Sequence, residues 1–280
     1  MAASFPPETA FGKICMPTAE ACPRDDRLTV IAISALACIL QDVLHEGLGH
    51  GVTAWLSGAH RLTISTVALQ CDIDTRWISA NGTLVNLFFA AVFFLLLRKP
   101  QRYRPATRYF LVLAMMGNLF TGTGYFLFSG VANFGDWAAV IHGLHPYWVW
   151  RMALVVVGVV SYYASMLIVA AELRAFDRQE PSPHRLRNLC WTPYLADGIL
   201  AALGGLLNPL GLFYVIASAL PSTLGANAGL LSLPSLIRKR RRTGREEVAL
   251  IERSLVWIAI AAVACLVFIV VLGRGITWQR

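Results

Sequence analysis

A chain of 280 residues that is 56% hydrophobic and only 14% charged, with positive mean hydropathy, is too apolar for a disordered segment or an ordinary soluble domain. Its formal charge of +8 does not mark a nucleic-acid binder, because the basic residues cluster in short stretches between apolar runs and so read as topology signals. The composition predicts an integral, all-α polytopic membrane protein, since in lipid every backbone amide must be satisfied within its own segment.

Residues 1–27 carry Pro6, Pro7, Pro17 and Pro23 with mixed charges and no apolar core, which fits a poorly ordered cytoplasmic tail rather than a cleavable signal peptide. Spans are expected at roughly 28–58, 78–97, 107–130, 148–171, 195–220 and 254–273, each close to or above the ~20 apolar residues that cross a ~30 Å hydrocarbon layer. Between the first two, residues 60–77 alternate in part and include β-branched side chains, so a short β-hairpin near the membrane is expected. The run 221–237 holds Pro221, Gly225, Gly229 and Pro234, and either crosses as a broken helix or dips in and returns. The total is thus six to seven transmembrane helices.

Charge bears on the parity. Three Lys or Arg fall in the tail (Lys13, Arg24, Arg27), five in 98–108, four in 174–187 and seven in 238–253. If 221–237 crosses, all four groups share a side and only Arg61, Arg76, Arg151, Arg274 and Arg280 face the other; the positive-inside rule then favours seven crossings with a cytoplasmic N-terminus. The run Arg238-Lys239-Arg240-Arg241-Arg242 reads as a topology anchor. Six scattered cysteines without a C-x-x-C pair predict neither a zinc ribbon nor a disulfide framework.

The first span contains a polar cluster, Asp42, His45, Glu46 and His50, inside "LHEGLGHG" and its approach. A carboxylate at mid-bilayer costs at least ~2.5 kcal/mol, so four ionisable groups in nine residues call for a metal, one another or a water cavity. The histidines are i and i+5, ~140° apart on a regular helix, where the zinc-binding spacing of i and i+4 gives ~40°. A π-bulge absorbs the additional residue and returns both rings to one face; Gly47 and Gly49 offer little steric resistance to it. A competing arrangement of Asp42, Glu46 and His50 would suit iron or manganese better than zinc.

These residues resemble the site-2-protease family of intramembrane zinc metallopeptidases. His45-Glu46-Gly47-Leu48-Gly49-His50 is similar to the family's His-Glu-x-x-His helix with one residue inserted. In "SANGTLVNLFFA", Gly82 and Asn86 are similar to its Gly-Pro-x-x-Asn element, with Thr83 in place of the proline. Asp136 in "SGVANFGDWAAV" stands for the late aspartate, placed after the glycine instead of before it; Asp197-Gly198 is a literal Asp-Gly alternative near the start of a later span.

The resemblance implies Zn2+ held by His45, His50 and Asp136, Glu46 as general base, and Asn86 with Gly82 on the substrate backbone. It divides the chain into metallopeptidase core spans at 28–145 and additional spans at 146–280. It also implies membrane-protein or peptide substrates in the bilayer, hydrolysed in what the notional topology makes a bacterial inner membrane, with no nucleic-acid partner. The alternative is a non-catalytic or transport-type membrane protein whose histidine and carboxylate cluster binds a metal or proton; transport would require further ionisable residues from several spans, and the later ones offer only Arg151 and Asp197. His142 and His145, beside Pro146, Tyr147, Trp148 and Trp150, read as interfacial residues of an aromatic belt.

Overall fold

The computed structural model describes residues 24–99, 102–176, 183–239 and 250–280. The first helical run starts at Asp26, whose carboxylate accepts from the Thr29 backbone amide at 2.9 Å and caps α1 (Arg27–Asp42). Helix α1 passes without interruption into a π-helical segment, Val43–Gly51, and then α2 (Val52–Leu56). The Thr75 side chain caps α3 (Arg76–Leu96) in the same way, through the Ile78 amide. Helix α4 (Pro105–Ala132) begins on a proline, which needs no N–H partner there, and ends at Asn133 in the left-handed region (φ 55°). The short α5 (Asp136–Ile141) leads to α6 (Tyr147–Leu173), which tightens into a 3-10 turn at Arg174–Phe176.

Helix α7 (Pro183–Leu206) contains Pro193, which has no N–H to offer Leu189 O four residues back; Tyr109 Oη on α4 donates to that carbonyl instead, at 2.7 Å. The expected span 195–220 is corrected here. The chain stops at Leu206 and turns through Asn208-Pro209-Leu210-Gly211, with Asn208 Oδ1 accepting from the Leu210 amide and Gly211 at φ 84°; the leucines around this turn hid it from an apolar count. The run then returns as α8 (Leu212–Tyr214), a π-helical Val215–Ala219, α9 (Leu220–Asn227) and α10 (Gly229–Lys239). Val215 packs at Gly205 near the end of α7, whereas Leu233 and Ile237 join Leu186 and Leu189 at its start. Residues 221–237 are therefore the second half of a run that lies antiparallel to α7. The chain closes with α11 (Leu255–Val267) and a π-helical Phe268–Leu272.

Six helices are long and apolar enough to cross a membrane. Among them, the most hydrophobic are the least covered: the windows in Leu255–Leu272 and Tyr147–Phe176, of mean hydropathy 3.2 and 2.2, are only 11% and 17% buried. That is the inverse of a soluble bundle and matches helices that face lipid.

The two ends of the bundle differ. At one, the starts of α1, α4 and α7 meet the ends of α3, α6 and α10 around Tyr109, Phe176, Leu189, Ile237 and Ile251. Arg185 clasps Asp25 there at 2.8 and 3.0 Å, and the Asp26 amide donates to Ile251 O. This end carries the described parts of all four basic stretches. At the other lies a three-stranded antiparallel sheet in the order β2 (Leu69–Cys71), β1 (Arg61–Ile64), β3 (Ile276–Gln279). The hairpin expected at 60–77 is present, with Leu62 opposite Cys71; β3, with Trp278 opposite Leu62, adds a strand to the all-α expectation. Residues 1–23 of the expected tail, with Cys15 and Cys22, and Arg240–Arg242 of the basic run lie outside the described residues. Cys38, Cys71, Cys190 and Cys265 are free.

Candidate metal centre

The π-helical winding of Val43–Gly51 covers both histidines and sets their fifth-residue spacing in register: His45 Nε2 and His50 Nε2 are 3.1 Å apart, with the rings edge to face. Neither ring is free to turn. His45 Nδ1 lies 2.6 Å from Asn86 Oδ1 and His50 Nδ1 2.6 Å from Ile78 O, both on α3. Each acceptor fixes the proton on Nδ1, which leaves the Nε2 lone pair pointing into the space between the rings.

Close approach of α3 makes this possible. A Cβ on Gly49 would meet Asn81 O at 2.9 Å, and one on Gly82 would meet His50 Cε1 at 2.6 Å and His45 Cε1 at 2.8 Å. Gly82 thus gives clearance to the imidazoles. Asn86, expected to hold substrate, is fully buried, and its carboxamide is taken up within the protein: Oδ1 faces His45, and Nδ2 donates to Asn118 Oδ1 at 2.7 Å and to Gln41 O at 3.3 Å.

Asp136 arrives from another element. After Asn133 and Gly135 (φ 83°) the chain doubles back, α5 begins at Asp136, and Ser129 Oγ accepts from the next amide, Trp137 N. Asp136 Oδ2 is 3.2 Å from His45 Nε2 and 3.3 Å from His50 Nε2.

Three acceptor atoms therefore form a triangle with sides of 3.1, 3.2 and 3.3 Å. In the tautomer where both rings are neutral and carry their proton on Nδ1, neither Nε2 has a proton for Asp136 Oδ2, which is buried and without a hydrogen-bond partner. One shared proton would satisfy a single edge; a cation satisfies all three. Ligand atoms around a metal ion with bonds of ~2.0–2.1 Å stand roughly 3.3 Å apart, so His45, His50 and Asp136 could hold such an ion. Glu46 is 8% exposed, with Oε2 buried and unpartnered. His45, Glu46 and His50 bring ligand atoms within 4.8 Å of one another and could hold a metal ion.

Other candidates lie elsewhere. Asp42 is half-buried and does not join the group. Asp197 pairs with Asn227 on α9. His142 and His145 are exposed, the former lending its carbonyl to Arg76 Nη2. Sequence reasoning missed Asn118, whose only signal was a lone carboxamide in an apolar span, and Tyr125, whose ring lies 4.9 Å from that of His45. Comparison of the chain with family models, curated proteins and solved structures returns no match.

Proposed function

We propose that the chain is an intramembrane zinc metallopeptidase that hydrolyses peptide bonds of membrane-protein or peptide substrates. The observation that carries this reading is the convergence of His45 Nε2, His50 Nε2 and Asp136 Oδ2 within 3.3 Å, with both Nδ1 atoms engaged on α3. His45, His50 and Asp136 would hold the zinc ion, which would supply Lewis-acid activation of water and of the substrate carbonyl. Asn86 and Ile78 O orient the two rings, and Gly82 keeps the space beside them clear. Glu46, next in sequence to His45 and with a free oxygen, accepts the proton of the attacking water and hands it to the leaving amine. Because β2 is an edge strand beside Glu46, an extended substrate can add to it through main-chain hydrogen bonds and present its scissile bond there.

The seven traverses, with the basic ends together, support seven crossings and a cytoplasmic N-terminus in a bacterial inner membrane. Asp42 adds no ligand to the group, so the carboxylate-rich iron or manganese arrangement has no comparable support.

Metal analysis and a cleavage assay on the purified full chain test the proposal. About one zinc per chain is expected in the wild type, loss of zinc in His50→Ala, and retained zinc without cleavage of a membrane-embedded peptide in Glu46→Gln. Full zinc occupancy in His50→Ala, or undiminished cleavage by Glu46→Gln, refutes it.

A further inference from the structure

The metal centre leaves one deeply buried acid unused. Asp197, midway along α7, is 7% exposed; it accepts from Asn227 Nδ2 on α9, while the neighbouring Cys38 thiol of α1 donates to Pro193 O at 3.8 Å. The cavity beside it, of about 10 Å³, is walled by Cys38, Gln41, Gly117, Pro193, Asp197 and Asn227 among others, and no lysine, arginine or histidine lines it. That volume admits a single water-sized occupant. No ion pair to Asp197 exists among the described residues. Asn227, 3% exposed, also lines the cavity, and its Oδ1 is buried without a hydrogen-bond partner.

A carboxylate and an orphaned amide oxygen thus share a small chamber at a depth where uncompensated charge is costly. Water would satisfy the orphaned oxygen and leave a charged Asp197 uncompensated, whereas a proton on Asp197 would remove the charge and leave the chamber unfilled. A divalent ion would overcompensate the one carboxylate lining the chamber. A single positive charge of water-like size does both jobs. We infer that the chamber between α1, α4, α7 and α9 is a second cation site, taking one small monovalent cation, sodium in size, between the Asp197 carboxylate and Asn227 Oδ1. The site is separate from the zinc ligands and does not depend on the peptidase reading.

The test uses the full chain in detergent. Wild type is expected to bind one radioactive sodium ion per chain, displaced by unlabelled sodium, and to melt about 2–4 °C higher in NaCl than in choline chloride of equal ionic strength once sodium exceeds its dissociation constant several-fold. His50→Ala keeps the sodium response, and Asp197→Asn, which preserves shape and a hydrogen-bonding group, loses it. Should Asp197→Asn fail to fold, sodium binding to the wild type still decides. Wild type that binds no sodium and melts alike in both salts overturns the inference, and so does a melting temperature that follows pH alone, which would make the occupant a proton. A sodium response that survives in Asp197→Asn overturns it as well.

Discussion

Gly82→Ala perturbs the metal centre without touching a ligand. The added Cβ would stand 2.6 Å from His50 Cε1 and 2.8 Å from His45 Cε1, and closer still to His50 Nε2. Ordinary contact begins near 3.4 Å, so the rings would have to withdraw by about 0.6–0.8 Å, several times the ~0.2 Å within which ligand distances to a metal hold. Their other edges are pinned at 2.6 Å by Asn86 and Ile78 O, so withdrawal breaks either those bonds or the triangle. The expected result is a loss of at least 10–100-fold in zinc affinity, the range seen when groups supporting metal ligands are disturbed. Overpacking would add about 1–3 kcal/mol of destabilisation. Competition with a chromophoric chelator measures the affinity, and a melting curve in detergent separates it from unfolding. Gly47→Ala is the control: its Cβ would meet nothing nearer than Val43 Cγ1 at 3.9 Å, and its zinc affinity should match the wild type. A folded Gly82→Ala protein with wild-type affinity would refute the packing argument.

Two further substitutions probe the frame around the site. Asn86→Leu removes the acceptor that fixes His45 and the donor to Asn118, so zinc should bind about 10–100-fold more weakly in the same competition assay; unchanged affinity would deny Asn86 its positioning role. Asp26→Ala should cost about 1 kcal/mol at neutral pH by uncapping α1. The Thr29 amide, and then its hydroxyl, hold the Asp26 carboxyl below its ordinary 3.8, so the charged cap's contribution is present above that value and fades as pH falls through the lower folded one. The gap between variant and wild-type denaturation midpoints should therefore narrow in acid, and an equal gap at neutral and strongly acid pH would count against the cap.

Much of the helix layout was legible because the bilayer's thickness imposes a length on every span, and five of the expected segments fall within a few residues of observed runs. The π-helical winding was legible too, since histidines at i and i+5 with glycines between them leave few ways to share a face. The turn at Asn208–Gly211 was hidden because flanking leucines keep the local average apolar. Strand β3 was hidden because its partner lies far away in sequence: Thr63 and Thr277, bonded through their hydroxyls, are 214 positions apart. The position of Asp136 followed from chain order and topology, but the surroundings of Asn86 did not; its neighbours Gln41 and Asn118 come from other helices, and only packing brings them together.

The sheet constrains how deep the proposed active site can lie. Open strand edges do not occur in lipid-exposed hydrocarbon, because their unpaired amides would have no partner. Strands β2 and β3 both present such edges, so on the proposed topology they belong at the water or headgroup level. Exposed Trp77, Trp148 and Trp278 lie in β3 and at the starts of α3 and α6, as an interfacial aromatic belt would. The first helix gives an independent measure: His45 is 18 residues beyond Arg27, about 27 Å along a helix at 1.5 Å per residue, which nearly spans a ~30 Å core. Both arguments put Glu46 close to the boundary opposite the basic end. On the proposed peptidase reading, hydrolytic water would need only a short entry from that face, and the substrates best placed for cleavage would be chains that unwind near the same boundary, where an extended backbone could pair with β2.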